Sequence, residues 1–249
     1  MVLLYIPPVQ NLLRREVAIY ASQATGMQIQ VERIDLRFPL NLLVRGVEVI
    51  QQPDTLLSLE SLNVRVQAWP LIKGKVEVDE VTLNHVAFNS ANLIDGMEIR
   101  GVLGRFFLQS HGVDLPDETV IINATELSDT HVQMLMNDTT TTPKDTTASA
   151  PVNWKIDLHR LKLKNVSFSM QLPADSMRMA AHIGDAVIAD AQADLKNQFY
   201  DLKHFLVSGA SASYNTGTAK PAEGFDASHI AVRDIRIVLD SLLYKGRDM

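Results

Sequence analysis

The segment KVEVDEVTLNHVAF, Lys75 to Phe88, alternates apolar and polar residues and repeatedly loses its phase. Val76 and Val78 are followed by Val81 and Leu83, then by Val86 and Phe88, so pairs two apart are separated by steps of three. On an ideal strand a step of three carries the side chain to the opposite face. A β-bulge cancels that change, because one extra residue returns the next pair to the original face while adding twist and bend. The same spacing recurs at Ile29-Val31-Ile34-Leu36, Leu42-Val44-Val47-Val49, Leu57-Leu59-Leu62-Val64, Ile156-Leu158-Leu161-Leu163 and Ile230-Val232-Ile235-Ile237. About one such match is expected by chance in a chain this rich in Val, Ile and Leu. The stretch KIDLHRLKLKNVSF repeats the first segment as far as Val166 and Phe168. The pattern predicts long strands bulged at Asp79-Glu80 and at His159-Arg160, with every apolar pair on one face.

Ahead of these strands the period changes. Pro8 suits a first helical turn, Gly26 suits the position just past a helix end, and Val9, Leu13, Val17, Tyr20 and Ala24 fall on one face, which predicts a helix over Pro8 to Thr25. The first strands are joined by RFPLN, QQPDT and AWPLIKG, each with proline at a plausible turn. Such short connections join antiparallel neighbours. GMEIRGVLGRFFLQ and TVIINATELSDTHVQMLM supply less regular strands, whereas DTTTTPKDTTASAP and GASASYNTGTAKPAEG read as low-complexity loops. The expected organisation is therefore an amino-terminal segment over 1–26, a first β-segment over 27–137, a flexible Thr-rich loop over 138–152 and a second β-segment over 153–249. The fold class is all-β with one amino-terminal α-helix, a long, bulged, strongly twisted antiparallel meander.

Composition narrows the function. The chain has 249 residues, 46% of them hydrophobic, and a net charge of −6 with acids and bases interspersed. No basic stripe is present to neutralise phosphates, so nucleic acid is not an expected partner. There is no cysteine, which excludes disulfides and thiolate metal sites. No Gly-x-Ser-x-Gly, phosphate-binding loop, dinucleotide fingerprint or His-Glu-x-x-His occurs, the histidines are dispersed, and adjacent acids such as Asp79-Glu80 point to opposite faces of a strand. The expectation is a protein that is not an enzyme and carries no cofactor. What remains is an apolar sheet face, and such a face needs a cover. Either two sheets pack as a sandwich or barrel, or one sheet curls and its concave side receives a foreign apolar ligand. Met134, Met136, Met170, Met177 and Met179 could fill gaps in a core or line an adaptable surface. The amino-terminal MVLLYI reads either as an apolar arm or as the end of a membrane anchor.

Several pieces occur in a recognisable order. A helix after Pro-Pro-Val-Gln ends in Thr25-Gly26. It is followed by LLVRGVEV, by LESLNV, and by PLIKGKVEVDEVTL. From Tyr5 to about Phe88, and again at VNWKIDLHRLKLKNVSF, the chain resembles the amino-terminal region of the AsmA/TamB family of diderm bacteria, to which translocation and assembly module proteins belong. The resemblance implies a periplasmic, inner-membrane-associated protein whose taco-like β-groove carries phospholipid and supports outer-membrane biogenesis, with an outer-membrane β-barrel assembly protein as a further partner. The anchor to the inner membrane would be a missing or truncated segment ending in MVLLYI, and full members of the family are much longer. Carried over position by position, the groove-lining residues are Val76, Val78, Val81, Leu83, Val86 and Phe88, and in the second copy Ile156, Leu158, Leu161, Leu163, Val166 and Phe168. A structural role, with strand edges engaging a partner's strands and no lipid transport, is the alternative.

Overall fold

In the computed structural model the described residues are 18–19, 22–23, 25–51, 53–67, 77–114, 118–137, 153–217, 226 and 228–245. The expected helix falls mostly outside them. Ala18, Ile19, Ser22, Gln23 and Thr25 have helical backbone, and the Gly26 N–H donates to the Ser22 carbonyl at 2.9 Å with φ of 70° at Gly26, but no helical element is established there. MVLLYI, the linker over 138–152 and Val76 also lie outside the described residues.

The periodic strands form a single sheet. In chain order they are β1 (Gln28–Arg37), β2 (Asn41–Gln51), β3 (Asp54–Val66), β4 (Val78–Asn89), β5 (Met97–Asp114), β6 (Thr119–Met136), β7 (Lys155–Leu172), β8 (Met177–Asp194), β9 (Phe199–Thr216), β10 (His229–Leu239) and β11 (Leu242–Lys245). Their spatial order is the chain order from β1 to β10, and β11 pairs with β9 beyond the end of β10. The sheet does not close, since β1 pairs only with β2 and β10 only with β9. The repeated spacing falls on β1, β2, β3, β7 and β10, one copy to each strand, and the copy from Val76 enters β4 at Val78. The longest strands have 18 residues, or roughly 60 Å at about 3.3 Å per residue.

Two expectations need correction. The meander is not antiparallel throughout: β6 and β7 are parallel, with Thr125 opposite Leu161 and Leu127 opposite Leu163. A parallel partner needs a crossover of about a dozen residues or more, and the Thr-rich chain between Met136 and Lys155 exceeds that length. Through this pair the segments over 27–137 and 153–249 belong to the same sheet. The stretch from Gly209 was expected to be a loop, yet β9 runs on to Thr216. Ala210, Ala212 and Tyr214 alternate with Ser211, Ser213 and Asn215, a strand period written in residues too small and polar to register as apolar. Ala210 is only 7% exposed.

The phase slips are shared by the strands rather than isolated. Leu59 pairs with Val86 and Ser61 with Asn84, while Glu60 and His85 stand opposite each other outside the ladder, joined at 2.7 Å between His85 Nδ1 and Glu60 Oε2. The same interruption occurs at Glu32 and Gly46, at Gly104 and Asp129, and at Asn165 and Gly184. It forms one crease across the sheet. Residues on it have left-handed backbone, with φ of 58° at Gly46, 48° at His85, 51° at Asp129, 52° at Asn165, 61° at Gly209 and 54° at Asp234. A second crease passes through Asp79, which is extra between the pairs Arg65–Glu80 and Val66–Val78. It continues through Asn123, which is extra between the pairs Gln109–Ala124 and Ser110–Ile122, and through His159 opposite Asp190, where φ is 54°.

The creases preserve the apolar face. Ala186, Val207 and Ala210 form one buried cluster with Leu163, Ile183, Phe205 and Ile235 packed against it. Val207 and Ala210 are three apart on β9 and lie on either side of the first crease, so the slip does return the apolar side chains to the same side. At the second crease Val78 and Val81 pair with Val66 and Val64. Those two partners are two apart on β3, and directly opposed residues share a face. Val78 and Val81 therefore share one too.

Candidate functional site

The candidate site is the apolar face itself, assembled row by row from the ladder. One row links Ile34, Val44, Leu62, Leu83, Phe106, Leu127, Leu163, Ala186, Val207 and Ile237. Val81 and Leu161 occupy a neighbouring row through Leu108 and Thr125. Val86 and Val166 share a row through Leu103 and Thr130, and Phe88 and Phe168 share one through Gly101 and Val132. Beyond the second crease, Leu158 pairs with Ile122 and Ala191, and Ile156 with Val120 and Ala193. Thus β4 and β7, three strands apart, present their apolar residues at matching levels and in the same direction. Of the twelve groove positions expected from the sequence, Val76 lies outside the described residues, and the other eleven lie on this one face.

Where polar or small residues enter the rows, local bonding explains them. Thr125 Oγ1 donates to the Phe107 carbonyl at 2.9 Å and Thr130 Oγ1 to the Ser128 carbonyl at 3.2 Å. Their hydroxyls are thereby satisfied by backbone. Gly101 leaves room for the Phe88 ring, which a Cβ at 101 would meet at 2.7 Å. Sequence reasoning missed the contributions of β5, β6, β8 and β9, among them Phe106, Leu127, Ile188, Phe205 and Val207. Their residues alternate, but with alanine, glycine and threonine in place of large aliphatics.

The opposite face is richer in polar residues, although Val102, Phe107, Val187 and Leu206 also lie on it. Its rows carry Arg45, Ser61, Asn84, Arg105, Ser128, Lys164, Asp185 and Ser208, and the crease residues add Glu60 and His85, both exposed. Asn165 Nδ2 donates to Asp129 Oδ1 at 2.8 Å across the parallel pair. Two carboxyls are held below their ordinary range: Asp194, at the end of β8, by hydrogen bonds from the backbone and side chain of Asn197, and Asp226, ahead of β10, by the hydroxyl and N–H of Ser228. Among the described residues no group of three or more His, Asp or Glu side chains is placed to hold a metal ion, and no helix is long and apolar enough to cross a membrane.

The apolar face is only partly covered. Among the described residues the buried hydrophobics are Ile34, Leu56, Leu59, Ala186, Val207 and Ala210, and no large side chain is fully buried. Phe168 is 38% exposed and Val232 48%. No second sheet exists in the described residues to pack on this face. The arrangement is an extended, solvent-accessible apolar surface roughly 45 Å from first to last strand at about 4.8 Å per strand. No protein-family model matches the chain, and neither does any curated protein.

Proposed function

We propose that the apolar face is the inside of a groove that holds the acyl chains of phospholipids, and that the chain is a segment of a periplasmic lipid-transfer and outer-membrane-assembly protein of the AsmA/TamB kind. The observation that carries this reading is the set of continuous apolar rows spanning ten strands, with no second sheet over them among the described residues. Curvature follows from the creases. At each crossing a strand places two successive residues on the polar side, as with Asn84 and His85, so the outer arc is longer than the inner one and the sheet bends toward its apolar face. The creases run from strand to strand, which makes them the long axis of the groove. They divide it into a floor with Val81 and Leu83, one wall with Val86 and Phe88, and another with Val78.

Such a groove works passively. Burying acyl methylenes is favourable by about 0.8 kcal/mol each, the rows offer equivalent sites from strand to strand, and headgroups stay in water. Attachment to the inner membrane and delivery to an outer-membrane β-barrel assembly protein belong to the same proposal. No catalytic step and no cofactor enter it.

A second reading has its own support. Among the described residues neither sheet edge has a further strand on it, and β10 and β11 expose Val232, Ile237 and Leu242, a surface on which a partner strand could pair. Mass spectrometry of lipids extracted from the purified protein separates the two. The groove reading expects recovered phospholipid in amounts comparable to the protein. A lipid-free protein that still captures a partner's β-strands favours edge pairing.

A further inference from the structure

Six of the nine methionines, Met97, Met134, Met136, Met170, Met177 and Met179, lie on four adjacent strands. The register brings them together: Met97 pairs with Met136, Met134 with Met170, and Met170 with Met179. Met136 and Met177 are each two residues from a member of that line, so all six are on the apolar face and at one end of it. Apolar cover alone does not call for sulfur at this place. The corresponding end of β1 to β3 uses Ile29, Val49 and Leu57, and the far end of the sheet uses Ile156, Leu158 and Ala193. The six are half-buried or, at Met179, 39% exposed, so a solute can reach them.

We propose that this cluster is a binding site for a soft monovalent metal ion, Cu(I) or its redox-stable analogue Ag(I), with Met134, Met136 and Met170 as core ligands and Met97 adjacent. Thioethers are neutral, polarizable donors that select Cu(I) over Zn(II), Mg(II) or Ca(II). The chain has no cysteine to compete for such an ion. Opposed residues on neighbouring strands stand about 4.8 Å apart, and same-face neighbours along a strand about 6.6 Å. The long unbranched methionine side chain, with three rotatable bonds, can converge on one ion from these positions. The proposal is independent of the lipid reading.

The test uses the whole protein carrying ¹³C-methyl methionine, titrated with Ag(I) and then, anaerobically, with Cu(I). One equivalent is expected to shift the methyl resonances of Met134, Met136 and Met170 while leaving Met27 unmoved. The combined Met134→Leu, Met136→Leu, Met170→Leu variant keeps the apolar volume and is expected to bind Ag(I) at least tenfold more weakly at unchanged circular dichroism. Equal shifts at all methionine methyls, no shifts, or a leucine variant binding as tightly as the parent overturns the proposal. If that variant does not fold, the wild-type methyl shifts decide alone.

Discussion

Val81→Asp combined with Leu161→Asp is expected to leave the protein folded and to abolish the photo-crosslinking to acyl-chain probes that the proposed groove implies. Both positions sit in the same row, linked through Leu108 and Thr125, so two carboxylates in that row interrupt the floor of the groove. Both side chains are only half-buried, and water reaches the new carboxylates, so folding loses roughly 1 to 2 kcal/mol per site. Under an acyl chain the same carboxylate is stripped of water without a partner, at several kcal/mol or with forced neutralisation. Binding therefore fails before folding does. A sandwich core predicts the reverse order, with global unfolding in the variant and no lipid signal in the parent to lose.

A large loss of stability from a single substitution is expected for Gly104→Val, at about 3 kcal/mol, the upper end of the usual cost of overpacking. A Cβ at 104 would stand 2.7 Å from Asp129 Cβ, 3.1 Å from the Asp129 carbonyl oxygen and 3.2 Å from that of Ser128. None of these is the free end of a flexible side chain, so relief requires the β5–β6 ladder to separate. His85→Gly, on the same crease, removes a non-glycine residue from φ of 48° and is expected to be neutral or slightly stabilising, because glycine adopts that region without steric cost. Urea unfolding of the two variants checks the pair. Equal stability for Gly104→Val and the parent contradicts the close crossing at the crease.

Much of this fold is legible in the sequence because the slip has a fixed form. In β4 and β7 large aliphatics mark both sides of each crease, so Leu83 and Val86, or Leu163 and Val166, reveal the interruption without coordinates. Where glycine or alanine occupies those levels, the same backbone leaves no apolar trace. Gly184 and Gly209 carry the crease through β8 and β9, and Ala181 and Ala212 continue the rows silently. That is also why the end of β9 resembled a loop. The parallel pairing of β6 with β7 is invisible to periodicity for a different reason: a strand's alternation is the same in either direction, and only connection length discriminates. The sequence also could not reveal that neighbouring strands slip at a common level. Each bulge was readable alone, but their alignment into a crease depends on register.

The apolar face was readable as a surface that needs either a second layer or a foreign apolar ligand. Choosing between a sandwich and a single sheet turns on whether a second layer exists, and the described residues form one sheet, in chain order from β1 to β10. The methionine cluster was half legible, since Met134 and Met136, or Met177 and Met179, announce a shared face by their spacing. The convergence of four strands on one end appears only through pairing.

The most direct test of the central claim places a photo-crosslinking amino acid at Leu163 in one variant and at Lys164 in another, then irradiates each with phospholipid. The two positions are adjacent on β7 and differ only in the face they occupy. The groove account predicts lipid adducts at Leu163 and none at Lys164. Adducts at Lys164 equal to those at Leu163, or none at either position in protein that is folded, contradict it.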